Sequence, residues 1–304
     1  MTGSIPRREL PVWRSLLYVP ANVSKFVDKA HTRGADAIIL DLGDSVPMSE
    51  KASARLGLQA AARTVRQGGA DVVVRINRPL SLAVRDIEAC VLPEVDGIAI
   101  TKVDGASHVR LIDELVSELE ARQGLPLGHT RLMAMIETPD AFEAMTEIAR
   151  ASARMVAINI GGEDFALNGG FEPTDEALLV PKQRMILAGR AAGVMAPGFI
   201  VSGGVFSEMD RFRAMVRRSR QFGFDGASCV HPGQVAVVNE EYGPGAEAVA
   251  HARRVLEGNV QAEAEGRASF QIDGKMIDVP VVERARRLLA RHASIEARHR
   301  GQVS

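Results

Sequence analysis

Cysteine is almost absent from this chain. Its 304 residues contain two, Cys90 and Cys229, far apart and without the close spacing of a metal cluster. That excludes a disulfide framework and a thiolate metal site, and it fits a reduced, cytoplasmic protein. No apolar run approaches the roughly 18 residues needed to span a bilayer. The opening stretch, Met1 to Leu10, has no apolar core, so no signal peptide is expected. Charge of one sign is also missing: 37 basic and 38 acidic residues leave a net −1. Without a basic excess or a basic arm, neither nucleic acid nor membrane is an expected partner. Long repeats and low-complexity tracts are missing too. What is present is ordinary globular composition, 46% apolar and 25% charged.

Eight short apolar, β-branched runs punctuate the sequence: Leu16 to Val19, Ala37 to Leu40, Val72 to Ile76, Gly97 to Ile100, Leu132 to Ile136, Val156 to Ile160, Gly193 to Ile200 and Ala227 to Val230. They are continuous rather than alternating, as strands buried on both faces should be. Helical patterns fall between them, among others at Ser24 to Arg33, Glu50 to Arg66, His108 to Arg122, Asp140 to Ala151, Glu176 to Ala192 and Ser207 to Phe222. This alternation predicts an α/β fold with a parallel sheet. Eight repeats in about 230 residues favour a (β/α)8 TIM barrel over an open sheet. The seventh run is interrupted by Pro197 and Gly198. Beyond the barrel, Ala246 to Glu265 reads as a helix, Phe270 to Pro280 as a turn-rich connector, and Val281 to Arg298 as a basic helix. The expected division is a catalytic barrel over residues 1–240 and a helical extension over 241–304, acting as a lid or an oligomer arm.

Two acids follow predicted strands. Glu137 lies in Met135-Ile136-Glu137-Thr138, and Asp164 in Gly161-Gly162-Glu163-Asp164-Phe165. Carboxylates past the C-terminal ends of parallel strands sit where α/β folds keep their chemistry. One βα unit apart, the two make an oxygen-rich site suited to Mg²⁺ or Mn²⁺. The alternative is that each merely starts a helix. Glu163 points away from its neighbour and is expected beside the ligand site rather than in it. Arg75 ends strand three as a bidentate clamp for a substrate carboxylate or carbonyl, or as a structural ion pair with Asp41 or Asp44. Asp41 and Asp44 either orient Arg75 and hold metal-bound water or serve the turn after strand two. His231 either moves protons at the substrate or fixes its own loop. His31, His108 and His251 fall on predicted helices and read as solvated. Lys102 could in principle form a Schiff base, but no neighbour in the sequence signals a depressed pKa. The pairs Gly161-Gly162 and Gly203-Gly204 let backbone approach a ligand, and they match neither a dinucleotide fingerprint nor a phosphate loop.

These residues, in this order, resemble the citrate lyase β-subunit-like group of the HpcH/HpaI aldolase family, which includes malyl-CoA and citramalyl-CoA lyases. The resemblance runs from about Arg14 to Pro280. It is carried by Arg14 to Pro20, Leu40 to Val46 with Lys51 and Arg55, Val74 to Asn77, Ile136-Glu137-Thr138, Gly161 to Asp164, His231 to Gln234 with Asn239, and Gly274 to Pro280. It implies a Mg²⁺-dependent carbon–carbon lyase, with the metal on Glu137 and Asp164 and the keto-acid portion on Arg75. It places Tyr18 and Lys29 on the CoA side of an acyl-CoA substrate. It makes Asp278 a catalytic carboxylate lent to the neighbouring subunit of a homotrimer or hexamer. Rival expectations are a CoA-independent, metal-dependent pyruvate-type aldolase acting on a small keto or hydroxy acid, a thioesterase step, and a non-catalytic ligand-binding homologue. The chain departs from the family pattern at Gly43, where an acid is usual, at Thr101-Lys102-Val103-Asp104, at Ala196-Pro197-Gly198, and at Val23, with Lys25 close by.

Overall fold

Seven of the eight apolar runs form a single parallel sheet: β1 (Ser15–Pro20), β2 (Ala37–Asp41), β3 (Asp71–Ile76), β4 (Gly97–Ile100), β5 (Arg131–Ile136), β6 (Met155–Ile160) and β7 (Ala227–Cys229). The computed structural model describes residues 9–201 and 208–303, so the start of the chain, Gly203-Gly204 and Ser207 lie outside the described residues. The strand order is β6-β5-β4-β3-β2-β1-β7, so consecutive strands are neighbours and β1 lies between β2 and β7. The helices are α1 (Ser24–Ala30), α2 (Lys51–Arg66), α3 (Leu80–Cys90), α4 (Ala106–Gln123), α5 (Pro139–Glu143), α6 (Met145–Arg150), α7 (Gly162–Gly169), α8 (Asp175–Ala192), α9 (Met209–Phe222), α10 (Val235–Glu241), α11 (Ala246–Ala264) and α12 (Val279–Val303). No helix among the described residues is long and apolar enough to cross a membrane.

The expected seventh strand, Gly193 to Ile200, is not a regular strand. Only Met195 bridges to β6, where Ile158 donates to the Met195 carbonyl at 3.0 Å and Met195 to the Val156 carbonyl at 2.8 Å. On its other side Gly198 donates to the Gly226 carbonyl at 2.8 Å, just before β7. The segment therefore fills the eighth position of the ring without extending as a ladder. Pro197 supplies no N–H, which is the physical reason. The expected helix over Asp140 to Ala151 is likewise split at Ala144, whose backbone leaves the helical region.

The barrel interior is filled mostly from alternate positions. Leu16, Ala37, Ile39, Val73, Ala99, Met133, Val156, Ala157 and Met195 form one buried cluster with Trp13, the adjacent Val156 and Ala157 falling where the β5–β6 register shifts. Trp13 donates its indole N–H to Asp71 at 2.7 Å. Two buried ion pairs brace the same end. Arg14 holds Asp36 through two bonds of 2.7 and 2.8 Å. Arg154 holds Glu120 at 2.6 and 2.7 Å, and Glu120 also accepts from the backbone of Gly128 and Thr130. Charges so far from water persist only when all their bonds are made.

The chain divides into two compact units, Met1–Asn239 and Glu240–Ser304. In the second, the segment expected as a connector is a hairpin of β8 (Phe270–Ile272) and β9 (Lys275–Ile277), paired antiparallel. Asp273 and Gly274 both have positive φ, 50° and 75°, the conformation that Asp-Gly adopts in tight hairpins. Ile277, Ala252, Val255, Val282 and Ala285 form this unit's own core.

Closure of the ring depends on a missing side chain. A Cβ at Gly226 would lie 2.1 Å from the Trp13 carbonyl oxygen and 2.7 Å from that of Arg14. Gly226→Ala should therefore push β7 off β1 and lower stability by about 1–3 kcal/mol, measured by urea unfolding. An unchanged midpoint would show that this contact does not hold the ring shut.

Candidate active site

The C-terminal ends of β1, β2, β3 and β5 and the start of α7 converge on one group of charges. Arg75 ends β3 with its side chain only 12% exposed. Its Nε donates to Asp41 Oδ1 at 2.6 Å and its Nη2 to Asp41 Oδ2 at 2.8 Å. Its third nitrogen, Nη1, lies 3.3 Å from Asp44 Oδ2. Burial alone would raise the Asp41 carboxyl, but the bonds from Arg75, Ser45 and the Gly43 amide outweigh it and hold Asp41 below its ordinary value. The same pairing overrides burial at Arg75 and keeps the guanidinium charged. Arg75 is thus ion-paired with both Asp41 and the exposed Asp44. The Tyr18 ring lies 5.4 Å from the guanidinium carbon, and burial pushes its hydroxyl up to about 12. Tyr18 is therefore a neutral donor at ordinary pH.

A second layer holds this arrangement. Lys51 donates to the carbonyls of Leu42 and Gly43, both at 2.9 Å. Asn77 donates to the Leu42 carbonyl at 2.9 Å and to Asp86 at 2.6 Å. Arg55 closes the chain on Asp86 at 2.8 Å. Three of the sequence landmarks, Leu40 to Val46, Lys51 with Arg55, and Val74 to Asn77, are thus one hydrogen-bonded brace under the loop that carries Asp41.

The two carboxylates stand beside it. Glu137 is buried, and its Oε2 accepts the Lys102 backbone N–H at 2.6 Å. Asp164, in the first turn of α7, meets the Lys102 ammonium at 3.0 Å. Burial, and then the nearby Asp164, push the Glu137 carboxyl up to about 7 although the Lys102 amide opposes this. Lys102 is the residue that sequence reasoning undervalued. It reaches both carboxylates, one by its backbone and one by its side chain, from a left-handed φ of 46°. A lysine pays a strain of order 1 kcal/mol for that conformation, and such outliers gather at functional sites. Nothing in the sequence marks it, because the strain is a property of the loop. Gly161 is required for a different reason: a Cβ there would come within 2.6 Å of Glu137 Oε1.

The donor set suits a hard cation. Two carboxylates with water and substrate oxygens completing the sphere is the usual protein contribution to Mg²⁺. No group of three or more His, Cys, Asp or Glu that could hold a metal occurs among the described residues. The other expected residues have the following surroundings. Glu163 is exposed beside Asp164. His231 accepts from the Gly233 amide at 3.1 Å and caps the turn after β7. Lys29 is exposed in the last turn of α1, whereas Lys25 occupies the first turn. Asp278 directly precedes α12, where its carbonyl accepts from Val281 and Val282 at 3.0 and 3.1 Å.

The family description HpcH/HpaI aldolase/citrate lyase matches residues 14–232. The citrate lyase subunit beta of Leuconostoc mesenteroides subsp. cremoris is 33% identical over 279 residues, covering 91% of this chain and 92% of that protein. A (3S)-malyl-CoA thioesterase of Cereibacter sphaeroides is 31% identical over 290 residues, covering 94% of this chain and 96% of that one. Among solved structures, protein CitE from Mycobacterium tuberculosis in complex with magnesium, acetoacetate and coenzyme A superposes with a TM-score of 0.71 at 26% identity, covering 93% of this chain and 98% of that one. The chain belongs to the HpcH/HpaI aldolase/citrate lyase family and is an enzyme of its lyase group.

The anchoring of Arg75 can be measured directly. Asp41→Ala leaves a buried guanidinium without its partner and should cost about 3–5 kcal/mol in urea unfolding. A loss below about 1 kcal/mol would mean that Asp41 does not anchor Arg75.

Proposed function

As a member of the HpcH/HpaI aldolase/citrate lyase family the chain is, we propose, a Mg²⁺-dependent carbon–carbon lyase that cleaves or forms a 3-hydroxyacyl-CoA of the malyl-CoA or citramalyl-CoA kind, with acetyl-CoA and a 2-keto acid on the other side of the reaction. The observation that carries this reading is the meeting of one anchored guanidinium, Arg75, with two carboxylates, Glu137 and Asp164, at one end of the barrel. Glu137 and Asp164 would hold Mg²⁺, which supplies Lewis-acid stabilisation to the hydroxy-acid oxygens. A structural neighbour that carries magnesium, acetoacetate and coenzyme A supports the choice of ligands.

The chain's own residues divide the work as follows. Arg75, fixed by Asp41, presents its Nη1 edge to the carboxylate and forming carbonyl of the keto-acid half. A base takes the hydroxyl proton, the C2–C3 pair passes into the thioester enolate, and an acid returns a proton to C2. Asp278 of a neighbouring copy is our candidate for this proton traffic, in a homotrimer or hexamer. Asp44 holds solvent against Arg75. Tyr18, and Lys29 on α1, take the CoA side, and Glu163 and His231 flank the substrate. Incubation with citramalyl-CoA or malyl-CoA tests the whole reading, with acetyl-CoA and keto acid as the expected products. Cleavage of a free hydroxy-keto acid without CoA would replace it by a pyruvate-type aldolase. Free CoA beside an intact hydroxy acid would mark a thioesterase.

Glu137→Gln or Asp164→Asn should each weaken Mg²⁺ binding about tenfold or more while the circular dichroism spectrum is unchanged. Calorimetry giving wild-type affinity in both variants would remove the metal assignment. In the wild type, Mg²⁺ must displace the proton that Glu137 binds up to about pH 7. Affinity should therefore be level above about pH 8 and fall roughly tenfold per unit below about pH 6. A flat profile from pH 5 to 8 would contradict a role for Glu137.

The shared-site assignment of Asp278 has its own test. Asp278→Asn and Glu137→Gln chains, each inactive alone, should recover part of the activity when mixed under conditions of subunit exchange. Confirmed exchange without recovery rules out the intersubunit role and leaves Asp278 as the residue before α12, whose loss costs about 1 kcal/mol.

A further inference from the structure

The buried face of α3 carries Ala83, Asp86, Ile87 and Cys90, so an acid stands in an apolar stripe. Asp86 is fully buried. Its Oδ1 accepts from Arg55 Nη1 at 2.8 Å. Its Oδ2 accepts twice from one residue, from the Asn77 backbone N–H at 2.8 Å and from the Asn77 side-chain amide at 2.6 Å. Asn77 follows β3, two residues after Arg75. The same side-chain amide donates to the Leu42 carbonyl at 2.9 Å, which Lys51 also reaches at 2.9 Å. The Leu42 N–H in turn donates to the Arg75 carbonyl at 3.0 Å. Through Asn77, Asp86 therefore fixes the two strand ends that carry Arg75 and Asp41, although it bonds to neither.

Stability does not account for this acid. Replacing a buried ion pair by apolar residues of similar volume is often neutral or stabilising. Ala83, Ile87 and Cys90 already pack α3, and an apolar residue at position 86 would complete their stripe. What it could not do is accept from Asn77. Asp86 acts on the same loop in a second way. Burial lowers the proton affinity of Lys51, and the charge of Asp86 is the first that opposes this, ahead of Asp41 and Asp44. Both effects end on Leu42, between Asp41 and Gly43. Asp41 accepts from the Gly43 amide at 2.8 Å and from Arg75 at 2.6 and 2.8 Å, so a shift of that loop turns the guanidinium. The carboxylate pair is held separately. Lys102 meets both acids, and Arg78 fixes the Lys102 carbonyl at 3.0 Å. None of these bonds involves Asp86.

We propose that Asp86 is a positioning residue for the lyase reaction: through Asn77, Leu42 and Asp41 it sets the direction in which Arg75 meets the keto-acid half of the substrate. This rests on the assignment of Arg75 to that half. Asp86 acts at one remove, touches no substrate, and leaves the carboxylate pair to Lys102.

Full-length Asp86→Asn keeps the shape of the side chain and loses one of its two acceptor oxygens. Three quantities separate aiming from plain support. Pyruvate affinity in saturating Mg²⁺, by calorimetry, should fall about tenfold, the scale of cutting one member of a coupled network. Mg²⁺ affinity should stay within about twofold, because the bonds at Glu137 and Asp164 share no partner with Asp86. Phenylglyoxal should modify Arg75 about threefold faster or more, read by peptide mass spectrometry, because a less firmly held guanidinium opens more often. Wild-type pyruvate affinity together with wild-type Arg75 reactivity overturns the proposal. A parallel loss of pyruvate and Mg²⁺ affinity also overturns it, since that marks general loosening. If the wild type binds no pyruvate, the keto-acid role of Arg75 falls, and the phenylglyoxal rate still decides whether Asp86 holds Arg75. Where Asp86→Asn fails to fold, Asn77→Ala cuts the same path and leaves the pair of Asp86 with Arg55. It should reproduce all three results, and wild-type values in it overturn the proposal equally.

Discussion

The bidentate pair between Arg75 and Asp41 is the constraint on which the rest of the site depends. A guanidinium at the end of a buried strand cannot lose its proton, so it must be matched in place. Asp41 occupies two of its nitrogens, and the loop after β2 folds around Asp41 through Gly43 and Ser45. Lys51 and Asn77 then fix that loop by its carbonyls. The result is a cation aimed by a frame of polar bonds rather than by apolar packing, with its Nη1 on the exposed Asp44. Gly43 belongs to this logic. Its missing side chain lets the loop lie about van der Waals distance from the guanidinium, where a Cβ would come within 3.2 Å of Arg75.

Across the barrel mouth the problem is reversed, with too much negative charge in too little water. Burial, and then the nearby Asp164, raise the proton affinity of Glu137. Lys102 answers with an amide to Glu137 and an ammonium to Asp164, at the expense of a left-handed backbone. A glycine would adopt that backbone freely and would still donate its amide. Only the ammonium explains why a side chain is kept there, which makes Lys102 an internal counter-charge for the carboxylate pair.

The layout of the barrel was legible because buried parallel strands must be apolar on both faces, and seven of the eight runs are regular strands within a residue or two. The position of Glu137 was legible for a related reason: a charge directly after such a run has few places to go, whereas Asp164 lies in the first turn of α7. Less was readable where two physical outcomes share one pattern. Arg75 could pair or clamp, and it is paired with Asp41 and Asp44. His231 could act or cap, and its ring nitrogen accepts from the Gly233 amide. The hairpin over Phe270–Ile277 was read as a connector, although Asp273-Gly274 is the turn signal that identifies it. Lys102 was weighed only for a Schiff base, and its reach to both carboxylates was not legible, since that backbone strain is a tertiary fact.

The seventh segment joins these threads. Proline and glycine were reasons to doubt the strand, and they do end it, but the ring survives because Met195 bonds on one side and Gly198 on the other. A full strand would have been more stable locally and would have walled the barrel mouth between β6 and β7. The short one leaves Asn159 without a partner and Lys182 with a single carbonyl. Departures from regularity at Ala196-Pro197-Gly198 and at Lys102 both lie next to the charged residues, while the regular ladders lie beneath them. That distribution is what a barrel produces when its lower layers carry stability and its upper rim carries chemistry. The rim can afford unsatisfied groups because Trp13, Arg14 and Arg154, at the opposite end, are fully bonded.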